Sequence, residues 1–582
     1  MPHELFVQLL LFQLLMVTLG ISCFYHDAAA ALLVDGHVVA AAAEERFSRR
    51  KHDKSFPCLA VASCMEKAGL DYKSIDHVVF YEKPFVKFER ILRTHIHHFP
   101  FGFRTFAKAM PIWLKERLDM RGTITRELRK LSGLKHNWDI RFTEHHLSHA
   151  AMAYHTSGFR DAAILVVDAV GEQATTSIMH GKDGHITPIK QQHFPHSIGL
   201  LYSAVTYYLG FAVNSDEYKV MGLAPYGQAT VSIRSAINQL VDVAEDGSIL
   251  LNEEYFTFMY GLRMVNDRKW EKLFGFPRRN PNTPIGDEHK ALAAAIQELT
   301  ETILYRLSCH AKALTGSDRL CIAGGCALNC AVMGHIRQSG LFKDIYVPFA
   351  PGDDGCAIGA TLYLDAELTE NKAGSYSVSP YLGPAYSDQE AESALQASGL
   401  TYNRMDDASL YEYVAKAIAE GKIIGWYQGA MEFGPRALGN RSILADPRRK
   451  DMKDIVNAKV KFREPFRPFA PIVMEDHAQE YFEETSSPYM MFTAKVCSQN
   501  IPAVTHVDGT ARIQSVSQGQ NPRIYALLDA FRKETGVPVL LNTSFNVMGE
   551  PIVCSPQDAI LTFLNCGLDL LVIGNHVVNK RY

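Results

Sequence analysis

From Thr18 onward the chain alternates apolar runs with short polar breaks at a spacing that fits strands. Thr18 to Cys23 is one such run, followed by the polar turn Tyr25-His26-Asp27, a second run, the pair Asp35-Gly36, and a third run reaching Arg46. Asp-Gly between two apolar runs marks a hairpin, because glycine accepts the positive φ of a tight turn. The same order returns further on. Ala162 to Val167 ends in Asp168, then come a glycine-containing turn, Ala174 to Met179, the break Lys182-Asp183-Gly184 and another strand. Two copies of strand, acidic turn, strand, Asp-Gly and strand predict an internally duplicated α/β domain. Later in the second copy, Arg319 to Ala323 reads as a strand running into Gly324-Gly325. Ile345 to Pro348 reads as a strand running into the acidic turn Pro351-Gly352-Asp353-Asp354-Gly355, which opens a helix over Ala357 to Leu364.

A turn-rich stretch from Gly374 to Tyr386 interrupts this pattern and divides the chain into a first domain over 16–375 and a second over 380–582. A chain of 582 residues exceeds what one hydrophobic core supports. The segment 1–15 is an apolar appendage in this reading, with Met16 as the natural start. No Lys or Arg precedes its apolar run, Gln8 and Gln13 interrupt it, and no small-residue cleavage site follows.

Composition narrows the class further. With 47% hydrophobic and 21% charged residues the chain is of ordinary globular type, and a net charge of −4 gives no general drive toward nucleic acid or anionic membrane. A small-molecule partner is therefore favoured. The 11 cysteines form no C-x-x-C pair and read as free thiols of a cytoplasmic protein. Cys321, Cys326 and Cys330 cluster, and apolar packing around a glycine turn is preferred there over a metal or redox role. Between the two copies, Tyr81 to Lys135 is dense in aromatics (Phe85, Phe88, Phe99, Phe101, Phe103, Phe106, Trp113) and locally basic. Such interleaving suits stacking on single-stranded nucleic acid. The preferred reading is a helical insert with its aromatics in a core and its Lys and Arg facing water, able to serve as a lid over a substrate pocket. His95, His97 and His98 are read as surface histidines.

Three constellations carry candidate chemistry. His145 and His149 are one helical turn apart, so their imidazoles share a face and can chelate one ion, with Asp168 and the acidic turn at Asp353 supplying hard oxygen ligands. Gly324, Gly325 and Asn329, between a strand and a helix start, form a cradle for adenosine or phosphate, since glycine permits close approach and the helix end offers free N–H groups. The blocks Glu432 to Ser442 and Lys461 to Pro468 concentrate Arg436, Lys461 and Arg467 between rigid Gly and Pro turns, which suits an anion pocket. Arg512 and Asn542 add a cation and an amide.

At these residues a resemblance is plain. GISCFYHDAAAALLVDG, EERFSR, HHLSHAA, PHSIGLLYSAVTYYLGF, EYKVMGLAPYG, GGCALNC, EFGPRALGNRSILADPR, KFREPFRPFAP and LNTSFNVMGEPI, in that order, resemble the NodU/CmcH-type carbamoyltransferases. The resemblance implies a duplicated actin-like (ASKHA) ATPase-type domain followed by a YrdC-like α/β domain. It implies a divalent metal, Fe2+ by expectation, on His145, His149, Asp168 and Asp353, and ATP and carbamoyl phosphate at Arg436, Lys461, Arg467 and Arg512. His26 would act as base or orienter for a hydroxyl of a small-molecule acceptor, such as a Nod-factor sugar or an antibiotic precursor. A carbamoyl-adenylate would form in the second domain and pass internally to the first. Ala169 and Cys326 depart from the pattern, where glycine and an aliphatic residue are usual. The rival readings are a tRNA threonylcarbamoyl transferase-like enzyme and a non-enzymatic actin-like nucleotide switch. No nucleic acid or membrane partner is expected, and a homodimer is left open.

Overall fold

A computed structural model describes residues 16–112, 118–369, 376–484 and 486–580. The segment 1–15, Trp113 and the first residues of the expected boundary stretch lie outside them. The first strand is Val17–Ser22, one residue earlier than expected, and it pairs antiparallel with Ala29–Val34, which pairs with His37–Ala43. His77–Phe80 and then Asp139–Phe142 extend the other edge in parallel. The second copy repeats this arrangement. Asp161–Val167, Ala174–Lys182 and His185–His193 form an antiparallel meander, and Arg319–Ala323 and Asp344–Tyr346 extend its first strand in parallel. Both five-stranded sheets thus have one strand order, and the two Asp-Gly hairpins match, with φ of 48° and 74° at Asp35 and Gly36 and 49° and 84° at Asp183 and Gly184. This is the internally duplicated α/β domain that the two Asp-Gly copies predict. The second domain is an α/β unit built on an eight-stranded mixed sheet whose central strands Ile424–Tyr427, Arg441–Ala445 and Val539–Ser544 carry its core.

Two helices fix the site between the sheets. Cys356–Thr369 lies on the first strand, and His145–Thr156 lies across Cys356–Thr369. Both contacts are backbone to backbone. A Cβ on Gly20 would overlap the Ala357 carbonyl oxygen, and one on Gly359 would overlap that of Ser148. Glycine at these points lets the helices approach closely enough for the start of one, near Asp353, to meet the start of the other, at His145.

The insert corrects one expectation. It is helical, with Pro84–His97, Phe103–Ile112 and Met120–Ser132. Its aromatics, however, are not core: Phe85, Phe99, Phe101 and Phe103 are 57 to 69% exposed. Arg93, Arg126 and Lys130 face water as expected, but Lys87 turns inward, pairing with Glu82 at 2.6 Å and lying over the Tyr25 ring. Glu82, five residues back and off the helix, supplies the counter-charge, and Tyr25, distant in sequence, supplies a π face for this half-buried lysine. Among the described residues no helix is long and apolar enough to cross a membrane.

Candidate active site

His145 and His149 occupy the first turn of His145–Thr156, Asp168 directly follows Asp161–Val167, and Asp353 stands in the turn before Cys356–Thr369. Their ligand atoms lie within 4.8 Å of one another. His145 Nε2 is 3.1 Å from His149 Nε2 and 3.1 Å from Asp168 Oδ2, and His149 Nε2 is 3.4 Å from Asp353 Oδ1. Donors bonded at about 2.1 Å around one ion are about 3.0 to 3.4 Å apart, so the observed spacing fits a coordination sphere. All four residues are buried, and Asp353 Oδ2 has no hydrogen-bond partner. Two imidazoles and two carboxylates suit a divalent transition ion. Burial works to raise the Asp168 pKa, but hydrogen bonds from His145 and His149 hold it well below the usual carboxylate range. Cys356 hydrogen-bonds His149, and Glu172 Oε1 accepts the His145 N–H at 2.9 Å at the helix N-terminus. His146 turns away, donating to or accepting from Ser177 Oγ at 2.7 Å, and burial, then His145, push its pKa down to about 3.

His26 adjoins this cluster, its Nε2 3.7 Å from Asp353 Oδ2. Its Nδ1 meets Asp27 Oδ2 at 2.9 Å, and Asp27 Oδ1 meets His52 Nδ1 at 2.7 Å, so one carboxylate bridges two imidazoles. Burial alone would lower the His26 pKa, but Asp353 and Asp27 carry it up to about 9. Asp27 and His52 both hold positive φ, 48° and 56°, a strained conformation for non-glycine residues that persists where surroundings enforce it. The chain of contacts continues across the molecule. The His52 N–H donates to Glu45 Oε2 (2.7 Å), Arg46 pairs with Glu45 (2.6 Å), and Arg46 Nη2 donates to the Gly434 carbonyl (3.0 Å) in the second domain.

The Gly324-Gly325 turn provides a second link. Gly324 has φ 91°, where a side chain would be strained and would strike the Val167 carbonyl. The Gly325 N–H donates to Asp168 Oδ1 at 3.2 Å, and Leu328, three residues on, accepts from Arg436 Nη2 at 3.4 Å. The histidine–aspartate cluster and the cationic block are thus joined through one short turn. Asn329 caps the helix Cys330–Gln338 and exchanges hydrogen bonds with Gln297, so its amide is already engaged. Asn542 is buried beneath the cationic loop, donating to the Ala437 carbonyl (3.2 Å) and Gln514 Oε1 (2.9 Å).

Arg436, Lys461, Arg467 and Arg512 share one region with Arg463. Burial and then Arg512 push the Arg436 pKa down to about 9, and burial, then Arg463 and Arg467, hold Lys461 well below the ordinary lysine range. Crowded cations that lower one another are what an anion pocket shows before its anion arrives. Lys461 ends the π-helical turn Asn457–Lys461, is 5% exposed, and its Nζ donates to the Ser544 and Asn546 carbonyls at 2.7 and 2.9 Å. The loop bearing Arg436 is organised by Glu432, whose Oε1 accepts the N–H groups of Leu438 (2.7 Å), Asn440 (2.7 Å) and Arg441 (3.2 Å). Glu432→Ala leaves these three buried donors unpaired and is expected to cost about 3 kcal/mol. A clearly lower melting temperature checks this, and an unchanged one contradicts it.

Sequence reasoning named none of the residues that the first domain sends to this pocket. Tyr218 lies under the Arg467 guanidinium at 4.5 Å, Lys219 pairs with Glu464 at 2.8 Å, and Lys51 sits close enough to feel Arg467 and Lys219. Tyr218 and Lys219 fall within the quoted EYKVMGLAPYG run, which was the available signal. Asp27, Glu45 and His52 were likewise unassigned.

Comparison with known proteins agrees with this arrangement. Residues 17–362 match the family model "Carbamoyltransferase N-terminus" and residues 415–580 match "Carbamoyltransferase C-terminus". The chain is 45% identical to the uncharacterized protein sll1178 of Synechocystis sp., covering 97% of this chain and 96% of that protein. It is 40% identical to the nodulation protein NolNO of Sinorhizobium fredii, over 96% and 79% of the two chains, and 41% identical to the nodulation protein NolO of Bradyrhizobium diazoefficiens, over 75% and 79%. With both family halves matched in order on a duplicated domain and its α/β partner, the chain belongs to the carbamoyltransferase family, of the NodU/CmcH type.

Proposed function

We propose that this enzyme makes carbamoyl-adenylate from ATP and carbamoyl phosphate at the cationic pocket, and transfers the carbamoyl group to a hydroxyl of a small-molecule acceptor at His26. The observation that carries this reading is the joining of a cationic pocket and a metal-type cluster by the turn from Gly325 to Leu328. Water would hydrolyse carbamoyl phosphate to carbamate and inorganic phosphate, with release of a proton. A carbamate oxygen then attacks the α-phosphorus of ATP, and pyrophosphate leaves. Arg436, Lys461, Arg467 and Arg512 would bind the phosphoryl oxygens, and Gly324 and Gly325 would let the nucleotide approach the backbone. Carbamate alone is a poor electrophile; the mixed anhydride gives its carbonyl carbon a leaving group, AMP, when the acceptor oxygen adds.

A divalent ion on His145, His149, Asp168 and Asp353 would supply positive charge to that leaving phosphate and oppose protonation of His26. Asp27 holds His26 through Nδ1, which leaves Nε2 to take the proton of the acceptor hydroxyl. Asp27→Asn is expected to slow transfer about 10²-fold while adenylate still forms. Equal loss in both half-reactions would contradict this division. The reading as a whole is tested by incubating the metal-loaded protein with ATP and carbamoyl phosphate and seeking carbamoyl-adenylate by mass spectrometry. Its absence above background overturns the proposal.

A further inference from the structure

We infer that the acceptor carries an anionic group, a carboxylate, phosphate or sulfate, which Arg90 receives while the acceptor hydroxyl lies at His26. This deepens the reading above and rests on it for the role of His26.

Arg90 belongs to Pro84–His97, the first helix of the insert. Lys83, just before that helix, Lys87 and Arg90 follow one another at spacings of four and three, and so share a face. The face turns toward the site. Lys83 Nζ pairs with Glu144 at 2.9 Å, and Lys87 Nζ pairs with Glu82 at 2.6 Å while lying 5.1 Å from the centroid of Tyr25. Tyr25 packs against His26 with ring centroids 4.5 Å apart. The basic face is therefore one aromatic ring away from the proposed transfer residue.

Arg90 differs from its two neighbours. It lies over the Phe194 ring at 5.0 Å, and its Nε is buried without a hydrogen-bond partner. Glu82 Oε2 pairs with Lys87, and Glu172 Oε1 accepts the N–H groups of Lys83 (2.8 Å) and His145 (2.9 Å); both carboxylates attract Arg90, but neither hydrogen-bonds its Nε. A buried guanidinium nitrogen without a partner is costly, and the planar fork to which it belongs matches two oxygens of a carboxylate, phosphate or sulfate. The nucleotide's phosphates already have the glycine turn and the arginine cluster of the second domain. Arg90 comes from the insert, three residues beyond Lys87, and interacts electrostatically with Tyr25, which packs on His26, so its ligand is assigned to the acceptor.

The test uses D-glucuronate and D-glucose, which differ by one carboxylate. Both are titrated calorimetrically into the full-length, metal-loaded protein saturated with AMP, which fills the nucleotide site. Glucuronate is expected to bind about tenfold more tightly or better, and Arg90→Gln to bring the two sugars level with no change in melting temperature. Arg90→Lys should fall between, because an ammonium keeps the charge and loses the fork. Equal binding of the two sugars by the wild type, including binding of neither, overturns the inference, as does a preference that Arg90→Gln retains. A preference present without AMP and lost with it assigns Arg90 to nucleotide phosphate and also overturns it. Adenylate formation by the wild type is measured separately. Its failure would sink the transfer reading, whereas the sugar preference alone decides the anion subsite.

Discussion

Lys461→Met is expected to reduce carbamoyl-adenylate formation by about 10³-fold or more, in the range reported for loss of a preorganised charge at a reacting phosphoryl group. His26→Ala is expected to leave that step near its normal rate and to stop transfer. The asymmetry follows from the two environments. Lys461 is buried among arginines and bonded to the Ser544 and Asn546 carbonyls, so its ammonium is held in place but poorly neutralised until an anion binds. Methionine keeps the stem and removes the charge. His26, by contrast, lies beside Asp353 and contacts none of the arginines of the pocket. The measurement is a pair of assays on each variant, pyrophosphate release with carbamoyl phosphate present, and carbamoyl transfer from preformed adenylate. Parallel losses in both variants would mean that the chemistry is not divided between two pockets.

Asp353→Ala is expected to lower bound divalent ion to less than about a tenth of the wild-type content and to reduce transfer about 10³-fold. Asp353 Oδ1 faces both His145 Nε2 (3.6 Å) and His149 Nε2 (3.4 Å), and its other oxygen faces His26. On the proposed reading one carboxylate would serve the ion and His26 together. Elemental analysis of the purified variant gives the ion content, and the transfer assay from preformed adenylate gives the rate. Full ion content with full transfer would remove Asp353 from the site. Conserved binding with lost transfer would confine its role to His26.

The duplicated domain was legible because its signals are local. An Asp-Gly pair between apolar runs dictates a tight turn wherever it occurs, and the two pairs at Asp35 and Asp183 produced equivalent hairpins. His145 and His149 were legible for the same reason, since a four-residue spacing on a helix aligns their rings. Asp168 and Asp353 could be named as candidates because each follows a strand, but only the packing of Gly359 on Ser148 shows why they meet the histidines. The insert was misread at its faces. Lys87 and Arg90 turn inward because Glu82, Tyr25 and Phe194, distant or off the helix, receive them. Helical periodicity records which residues share a face and is silent on which face finds a partner. Lys51, Tyr218 and Lys219 escaped notice for a related reason: their place at the cationic pocket depends on how one domain sits against the other.

The glycines at positions 20 and 359 govern how this molecule can move. Each removes the side-chain layer on which packed elements ordinarily slip, so the helix Cys356–Thr369 is wedged between a strand and another helix at main-chain distance. Cys356–Thr369 packs on the first sheet and His145–Thr156 on the second, so hinged opening of the two repeats would have to part the Gly359–Ser148 contact and separate Asp353 from His145 and His149. A side chain at position 359 would prise the start of one helix from the start of the other, and with it the two histidines from the Asp353 turn.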